Sequence, residues 1–380
     1  RALADPAAGA LGYAAIAKVK QDLKALGASV LLLDAGDASQ GTPLVNLSMG
    51  KAAIEFMNAA GYDAMSPGNH EFDWGLDNLL QIAEVAEFPI LAANIVRKTG
   101  GEVVFFDHVI FEMENGMKVG VFGLDTPETM TKTHPDKVKE ITFAQGEELY
   151  AIAQAQVDAL KAENCDLIVC LGHLGVADES EPNRSSDVIG KTTGIDLFID
   201  GHSHTRFDAG EQVEDTLLVS TGEYCRNLGV VVFDGETLSA SLYVNQDPAV
   251  ADVVNAVNKD VTAQLSAVFA TTEVLLNGER DPGVRTQETN LGDFAADAIL
   301  WAAQQALGED QVVAAITNGG GIRTSIKVGD ITMNDMKTVF PFGNEVAVLT
   351  VSGAELLEAL EAATCSTPTA IGAFPQVAGL

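Results

Sequence analysis

The stretch Val30-Leu31-Leu32-Leu33-Asp34-Ala35-Gly36-Asp37 decides the fold. Four apolar residues in a row, with no helical periodicity, read as a short strand covered on both faces. The strand runs into a Gly-containing turn that delivers carboxylates. The same event recurs along the chain. Asp63 to Ser66 leads into Gly68-Asn69-His70-Glu71, Leu167 to Leu171 into Gly172-His173, and Ile195 to Ile199 into Asp200-Gly201-His202-Ser203-His204. Helical patterns separate these strands: Ala14 to Leu26 ending at Gly27, Lys51 to Ala60 stopping at Gly61, and Leu149 to Lys161. Alternation of this kind defines an α/β protein, in which ligands bind just beyond the carboxyl ends of the strands. Lys118 to Gly123 and Val230 to Phe233 read as further strands without such loops.

With 380 residues the chain is long for one core, so two domains are expected. Pro248 to Val268 reads as a polar-faced helix, with apolar residues at Val250, Val253, Val254, Val257, Val261 and Leu265. We take 248–268 as a linker helix between domains at 1–247 and 269–380. The formal charge of -32 excludes nucleic acid and anionic lipid as natural partners, because no basic stripe offsets the repulsion. No run of eighteen apolar residues occurs, so no transmembrane segment is read. Cys165, Cys170, Cys225 and Cys365 form no CxxC pair and read as structural thiols, with disulfide status and redox compartment open. Arg1 to Gly12 lacks the charged-then-apolar pattern of an export signal.

Of six histidines, four sit in the strand-end loops: His70, His173, His202 and His204. A single histidine after a strand is usually a packing residue. Four of them beside Asp37 and Asn69 are a donor set of imidazole, carboxylate and amide oxygen. Such a set suits divalent Zn, Mn, Fe or Ni. Arg280, Arg285 and Arg323 lie in or beside loops of the last third, where basic residues are scarce; they can grip an anion or pair with acidic neighbours. Asn318-Gly319-Gly320-Gly321-Ile322-Arg323 allows close backbone approach to a ligand. Phe342, in Phe340-Pro341-Phe342-Gly343-Asn344, either stacks on a planar base or joins the core.

Gly36-Asp37-Ala38-Ser39-Gln40-Gly41, Gly68-Asn69-His70-Glu71-Phe72-Asp73, Gly172-His173 and Gly201-His202-Ser203-His204 together resemble the ordered motifs of calcineurin-like metallophosphoesterases. Arg285 with Glu288-Thr289-Asn290-Leu291-Gly292, the Gly-rich stretch, and Gly372-Ala373-Phe374-Pro375-Gln376 resemble the C-terminal domain of 5'-nucleotidases. The resemblance implies a four-layer αββα metallophosphoesterase domain with a second, smaller α/β substrate-binding domain. By that resemblance Asp37 bridges two divalent metal ions, Asn69, His173 and His202 complete one site, and His204 serves the other. His70 assists at the leaving oxygen with Asp73 orienting it, as a metal-bridging hydroxide attacks phosphorus. The lesser alternative for Asp73 is a helix or turn cap. Arg280, Arg285 and Arg323 would hold phosphate or ribose, and Asn318, Phe342, Asn344 and Gly372 would line a nucleoside pocket.

The family pattern opens with an Asp-x-His motif that is not found ahead of Asp37. We expect that this first strand is omitted from the sequence rather than lost. The function implied is a 5'-nucleotidase, secreted, periplasmic or surface-attached. UDP-sugar hydrolysis, 2',3'-cyclic-nucleotide hydrolysis and non-catalytic nucleotide binding stay open as alternatives.

Overall fold

The computed structural model describes residues 10–243, 265–342 and 344–380. The chain falls into two compact units, Arg1–Asn258 and Lys259–Leu380. The linker helix expected over 248–268 lies outside the described residues except for its last few, where Val268 already opens a strand.

The strands of the first unit are β1 (Leu33–Asp34), β2 (Ala64–Met65), β3 (Ile95–Arg97), β4 (His108–Glu112), β5 (Lys118–Asp125), β6 (Ile141–Phe143), β7 (Leu167–His173), β8 (Leu197–Ile199), β9 (Glu211–Val213), β10 (Thr216–Val219), β11 (Leu228–Phe233) and β12 (Leu238–Tyr243). Six of these form one sheet in the order β4-β5-β7-β8-β10-β9. Its four inner strands are parallel, and antiparallel β4 and β9 flank them at the edges. The strand expected at Val30 to Leu33 is shorter and later, Leu33–Asp34, and pairs in parallel with β2.

Side chains alternate across the six-stranded sheet with period two. Val119, Val121, Val169, Leu171, Leu197, Leu217 and Val219 point to one face, where they pack on Leu31, Leu33, Val231 and Phe233 of the second strand layer. Phe122, Leu124, Ile168, Cys170, Phe198 and Leu218 point to the other. There they meet Leu149, Ala153, Val157 and Leu160 of helix Glu147–Ala162 and Val188 and Ile189 of helix Ser185–Ile189. Gly123 lets the layers meet: a Cβ there would lie 1.9 Å from the Leu91 carbonyl oxygen. Helices Gly12–Ala25 and Lys51–Ala60 pack together through Tyr13 and Phe56, whose ring centroids are 6.5 Å apart. The arrangement is the four-layer helix–sheet–sheet–helix sandwich.

The second unit pairs β13 (Val268–Thr272) with β15 (Gly329–Thr332) and β14 (Ala315–Asn318) with β16 (Pro375–Ala378), both antiparallel. Helix Asn290–Leu307 is capped by the Thr289 hydroxyl, which accepts from the Gly292 N–H. Its Leu291 and Ala295 pack with Val284, Ile322, Ile331 and Val339.

Candidate active site

Every polar loop singled out in the first unit follows the carboxyl end of a parallel strand. β1 hands the chain to Asp37, β2 to Asn69 and His70, β7 ends at His173, and β8 leads to His202 and His204. In register, His173 lies opposite Asp125 at the end of β5. Three of these residues adopt the left-handed backbone region that side chains normally avoid: Asp37 (φ 63°), His202 (φ 70°) and His204 (φ 57°). Such conformations cost about 1–3 kcal/mol each and persist where the surroundings dictate them.

The surroundings are specific. The buried Glu71 carboxylate accepts the backbone N–H groups of Asp37 at 2.7 Å, Ser39 at 2.9 Å and Gly68 at 2.6 Å, locking two loops together. Gly68 is a close approach: a Cβ there would stand 2.4 Å from Asp37 Oδ1 and 2.7 Å from His173 Nε2. The His70 N–H donates to Asp37 Oδ1 at 3.0 Å, and His70 Nδ1 lies 2.8 Å from Asp73 Oδ2. Asp73 therefore engages the imidazole. The Lys137 ammonium holds the Asp73 carbonyl, and the Thr133 hydroxyl donates to the Asn69 carbonyl at 3.1 Å.

Asp37 Oδ2 is 3.3 Å from His173 Nε2, and Asn69 Oδ1 is 2.9 Å from His202 Nδ1. The two histidine rings sit 5.2 Å apart between centroids, so four nominated donors are neighbours. His204 lies instead against Glu223, Nδ1 to Oε2 at 2.7 Å, on a loop where Tyr224 and Cys225 also take left-handed backbone. The contacts are pairwise. Among the described residues no three histidine, cysteine or carboxylate side chains close into a metal cage.

Electrostatics favour positive charge at this point. Burial works against the Asp37 carboxylate, yet His173 and His70 bring its pKa well below the ordinary carboxylate value. Burial likewise disfavours the His173 imidazolium, but Asp37 and Asp125 outweigh it and lift its pKa to about 10. His173 Nε2 is buried and makes no well-directed hydrogen bond, although Nδ1 is tied to the Ala35 carbonyl at 2.5 Å. Burial moves His202 the other way, towards the neutral imidazole that ligates metals. A buried aromatic nitrogen with no directed partner, in a pocket that favours a cation, beside carboxylate and amide oxygens, fits a divalent metal ion in donor chemistry.

Two residues of this neighbourhood carried no signal in the sequence. Glu128, just past β5, places Oε2 3.2 Å from His202 Nε2 and 2.7 Å from the Lys132 ammonium. Glu223 holds His204. β5 was expected to end at Gly123 without a functional loop; it runs to Asp125 and delivers Glu128. In a chain with 54 acidic residues, an isolated glutamate is not distinctive.

In the second unit, loops at one end of β14 and β16 bring most of the nominated substrate residues together. Asn318 Nδ2 donates to the Gly372 carbonyl at 3.1 Å, Arg285 Nη1 lies near Gly372, and the Arg285 carbonyl accepts from Ile371. Arg323 Nη1 donates to the Gly320 carbonyl at 3.3 Å, and its guanidinium lies 5.5 Å over the Phe342 ring centroid. Buried Gln376 braces this end by donating to the Val284 and Gln287 carbonyls. The Arg280 carbonyl accepts from the Arg285 N–H, and Asn344 is exposed.

The chain matches the calcineurin-like phosphoesterase family over residues 5–206 and the 5'-nucleotidase C-terminal domain over residues 268–380. It is 35% identical to the trifunctional nucleotide phosphoesterase protein YfkN of Bacillus subtilis; the match covers 92% of this chain but only 26% of that protein. It is 30% identical to a 5'-nucleotidase of Vibrio parahaemolyticus, over 95% of this chain and 71% of the relative. The structure superposes on that of a 5'-nucleotidase precursor from Thermus thermophilus with a TM-score of 0.80 at 30% identity, covering 97% of this chain and 76% of the other. With both family patterns matched in order and loops from two sheets of the first unit meeting at Asp37, Asn69, His173 and His202, the chain belongs to the 5'-nucleotidase family of calcineurin-like phosphoesterases.

Proposed function

We propose that the protein hydrolyses the phosphate ester of nucleoside 5'-monophosphates in a reaction that needs two divalent metal ions. The observation that carries this reading is the cluster of Asp37, Asn69, His173 and His202 beside the His70–Asp73 pair. Asp37, Asn69, His173 and His202 would hold one ion and Asp37 with His204 the other, supplying Lewis acidity toward the phosphoryl oxygens and the attacking water.

The chain's own residues have separate tasks. Asp73 accepts the Nδ1 proton of His70, which leaves Nε2 as the nitrogen that exchanges a proton with the leaving oxygen. The Asp37 carboxylate receives the His70 N–H, so the backbone fixes the distance between the charge centre and the acid. In the second unit, the Arg285 and Arg323 guanidiniums bind phosphate or ribose oxygens. Asn318, Gly372 and Phe342 contribute the nucleoside contacts, with Arg280 and Asn344 at the margin. Domain limits at 247 and 269 serve this division of labour. We place the protein outside the cytoplasm, following the Thermus relative described as a precursor. No described helix is long and apolar enough to cross a membrane.

Phosphate release from AMP, UDP-glucose, 2',3'-cyclic AMP and p-nitrophenyl phosphate, with Mn or Zn and with EDTA, tests this reading. The description of the Bacillus relative as trifunctional brings the diesters into the panel. AMP should be the fastest substrate. A clear preference for UDP-glucose or the cyclic diester would replace the substrate, and no release from any of the four would sink the activity.

A further inference from the structure

We propose that Glu128 is a positioning residue for His202, fixing which ring nitrogen that histidine turns towards a metal ion. The inference rests on the metal-dependent reading above and adds a residue that none of the motifs contains.

The two nitrogens of His202 have different surroundings. Nε2 faces Glu128 Oε2 at 3.2 Å, and Nδ1 faces Asn69 Oδ1 at 2.9 Å. Both partners are oxygen acceptors, and a neutral ring has one proton. The charged carboxylate is the stronger acceptor and takes it at Nε2, leaving the Nδ1 lone pair opposite Asn69 Oδ1, a lone-pair contact that a cation between the two would relieve. Histidine ligands depend on such a partner for both tautomer and ring orientation.

Glu128 is itself well held. Its side chain is 17% exposed and that of His202 is 7% exposed, so water competes little for the contact. Lys132, one turn on, binds the same oxygen, Oε2, at 2.7 Å. The preceding loop is tied down: the Glu128 N–H donates to the Thr126 hydroxyl at 3.3 Å, and the buried Thr129 hydroxyl donates to the Thr126 carbonyl at 2.8 Å. On the other side, the left-handed backbone of His202 leaves the loop little freedom to re-aim the ring. A rigid loop from β5 thus reaches a ligand that follows β8, two strands away in the sheet. A surface ion pair with Lys132 alone would not require Oε2 to meet an imidazole nitrogen.

Mn2+ binding to the 380-residue chain, measured by equilibrium dialysis together with the melting temperature in EDTA, tests the assignment. Glu128→Ala should weaken Mn2+ binding about 10–100-fold with little change in the metal-free melting temperature. Glu128→Gln, whose amide oxygen still accepts from Nε2, should lie between wild type and Ala. Lys132→Ala should stay within about threefold of wild type. His173→Ala serves as the control that loses the site. Unchanged Mn2+ affinity in both Glu128 variants, while His173→Ala has lost binding, would overturn the proposal and leave the metal site standing. If Glu128→Ala fails to fold, Glu128→Gln against Lys132→Ala decides: equal affinities would overturn it. Wild type and His173→Ala binding Mn2+ alike would overturn the metal-dependent reading itself, and this assignment with it.

Discussion

His70 Nδ1 lies 2.8 Å from Asp73 Oδ2, three residues further along the same turn, and both side chains are outside the proposed metal-donor set. His70→Ala should lower kcat for AMP by about 10²–10⁴-fold, the range for losing a positioned acid or base. Asp73→Asn should lower it less, about tenfold or somewhat more, because the imidazole stays but its tautomer is no longer imposed. Steady-state phosphate release checks both. An Asp73→Asn loss as large as that of His70→Ala would show that Asp73 has a further task.

Gly68 stands where a side chain cannot. Its absent Cβ would come within 2.4 Å of Asp37 Oδ1 and 2.7 Å of His173 Nε2. Gly68→Ala must push apart the carboxylate and imidazole that define the candidate site, since a close-packed interior offers no room. We expect Mn2+ binding to fall at least about tenfold, with circular dichroism that still reports a folded α/β protein. Wild-type Mn2+ affinity in Gly68→Ala would show that Asp37 and His173 need not be neighbours.

Asp34 is half-buried, and desolvation pushes its pKa up to about 7; the Gly36 N–H opposes the rise and Glu71 adds to it. A carboxyl with a raised folded pKa binds its proton more tightly in the folded than in the unfolded state. Its contribution is therefore fully present below about pH 4 and is lost as pH rises towards 7. In EDTA, Asp34→Asn should match wild type near pH 4 and be more stable near pH 8, by up to about 4 kcal/mol. Urea denaturation at the two pH values reads the difference. A larger gap at pH 4 would reverse the sign and refute the argument.

Arg323 covers the Phe342 ring at 5.5 Å, so guanidinium and aromatic form one surface in the second unit. If that surface grips a nucleotide, Arg323→Ala should raise KM for AMP about tenfold or more, the scale of one lost charge-assisted hydrogen bond. Arg323→Lys should recover little, because an ammonium lacks the planar fork and stacks poorly. An unchanged KM would remove Arg323 from substrate binding.

The strand-end loops were legible because histidine, asparagine and glycine are conspicuous at those places. His173 ends an apolar run, and Asn69-His70 follows a strand and a glycine. The apolar run Val119 to Phe122 made β5 visible, but not where it ends, since Gly123 reads as a strand terminus while the strand continues through Leu124 to Asp125. Glu128 and Glu223 could not be picked out, because a glutamate in an acidic chain looks like surface until an imidazole is found beside it. Phe342 was open between base stacking and core packing, and its partner is Arg323, a contact between residues nineteen positions apart that no local pattern encodes.

The most direct test of the account is phosphate release from AMP by the wild-type chain and His173→Ala, each with Mn2+ and with excess EDTA. The wild type should release phosphate with Mn2+, and that release should be abolished by EDTA and absent from a folded His173→Ala. Release that survives EDTA, or that His173→Ala retains in Mn2+, would contradict the metal-dependent reading.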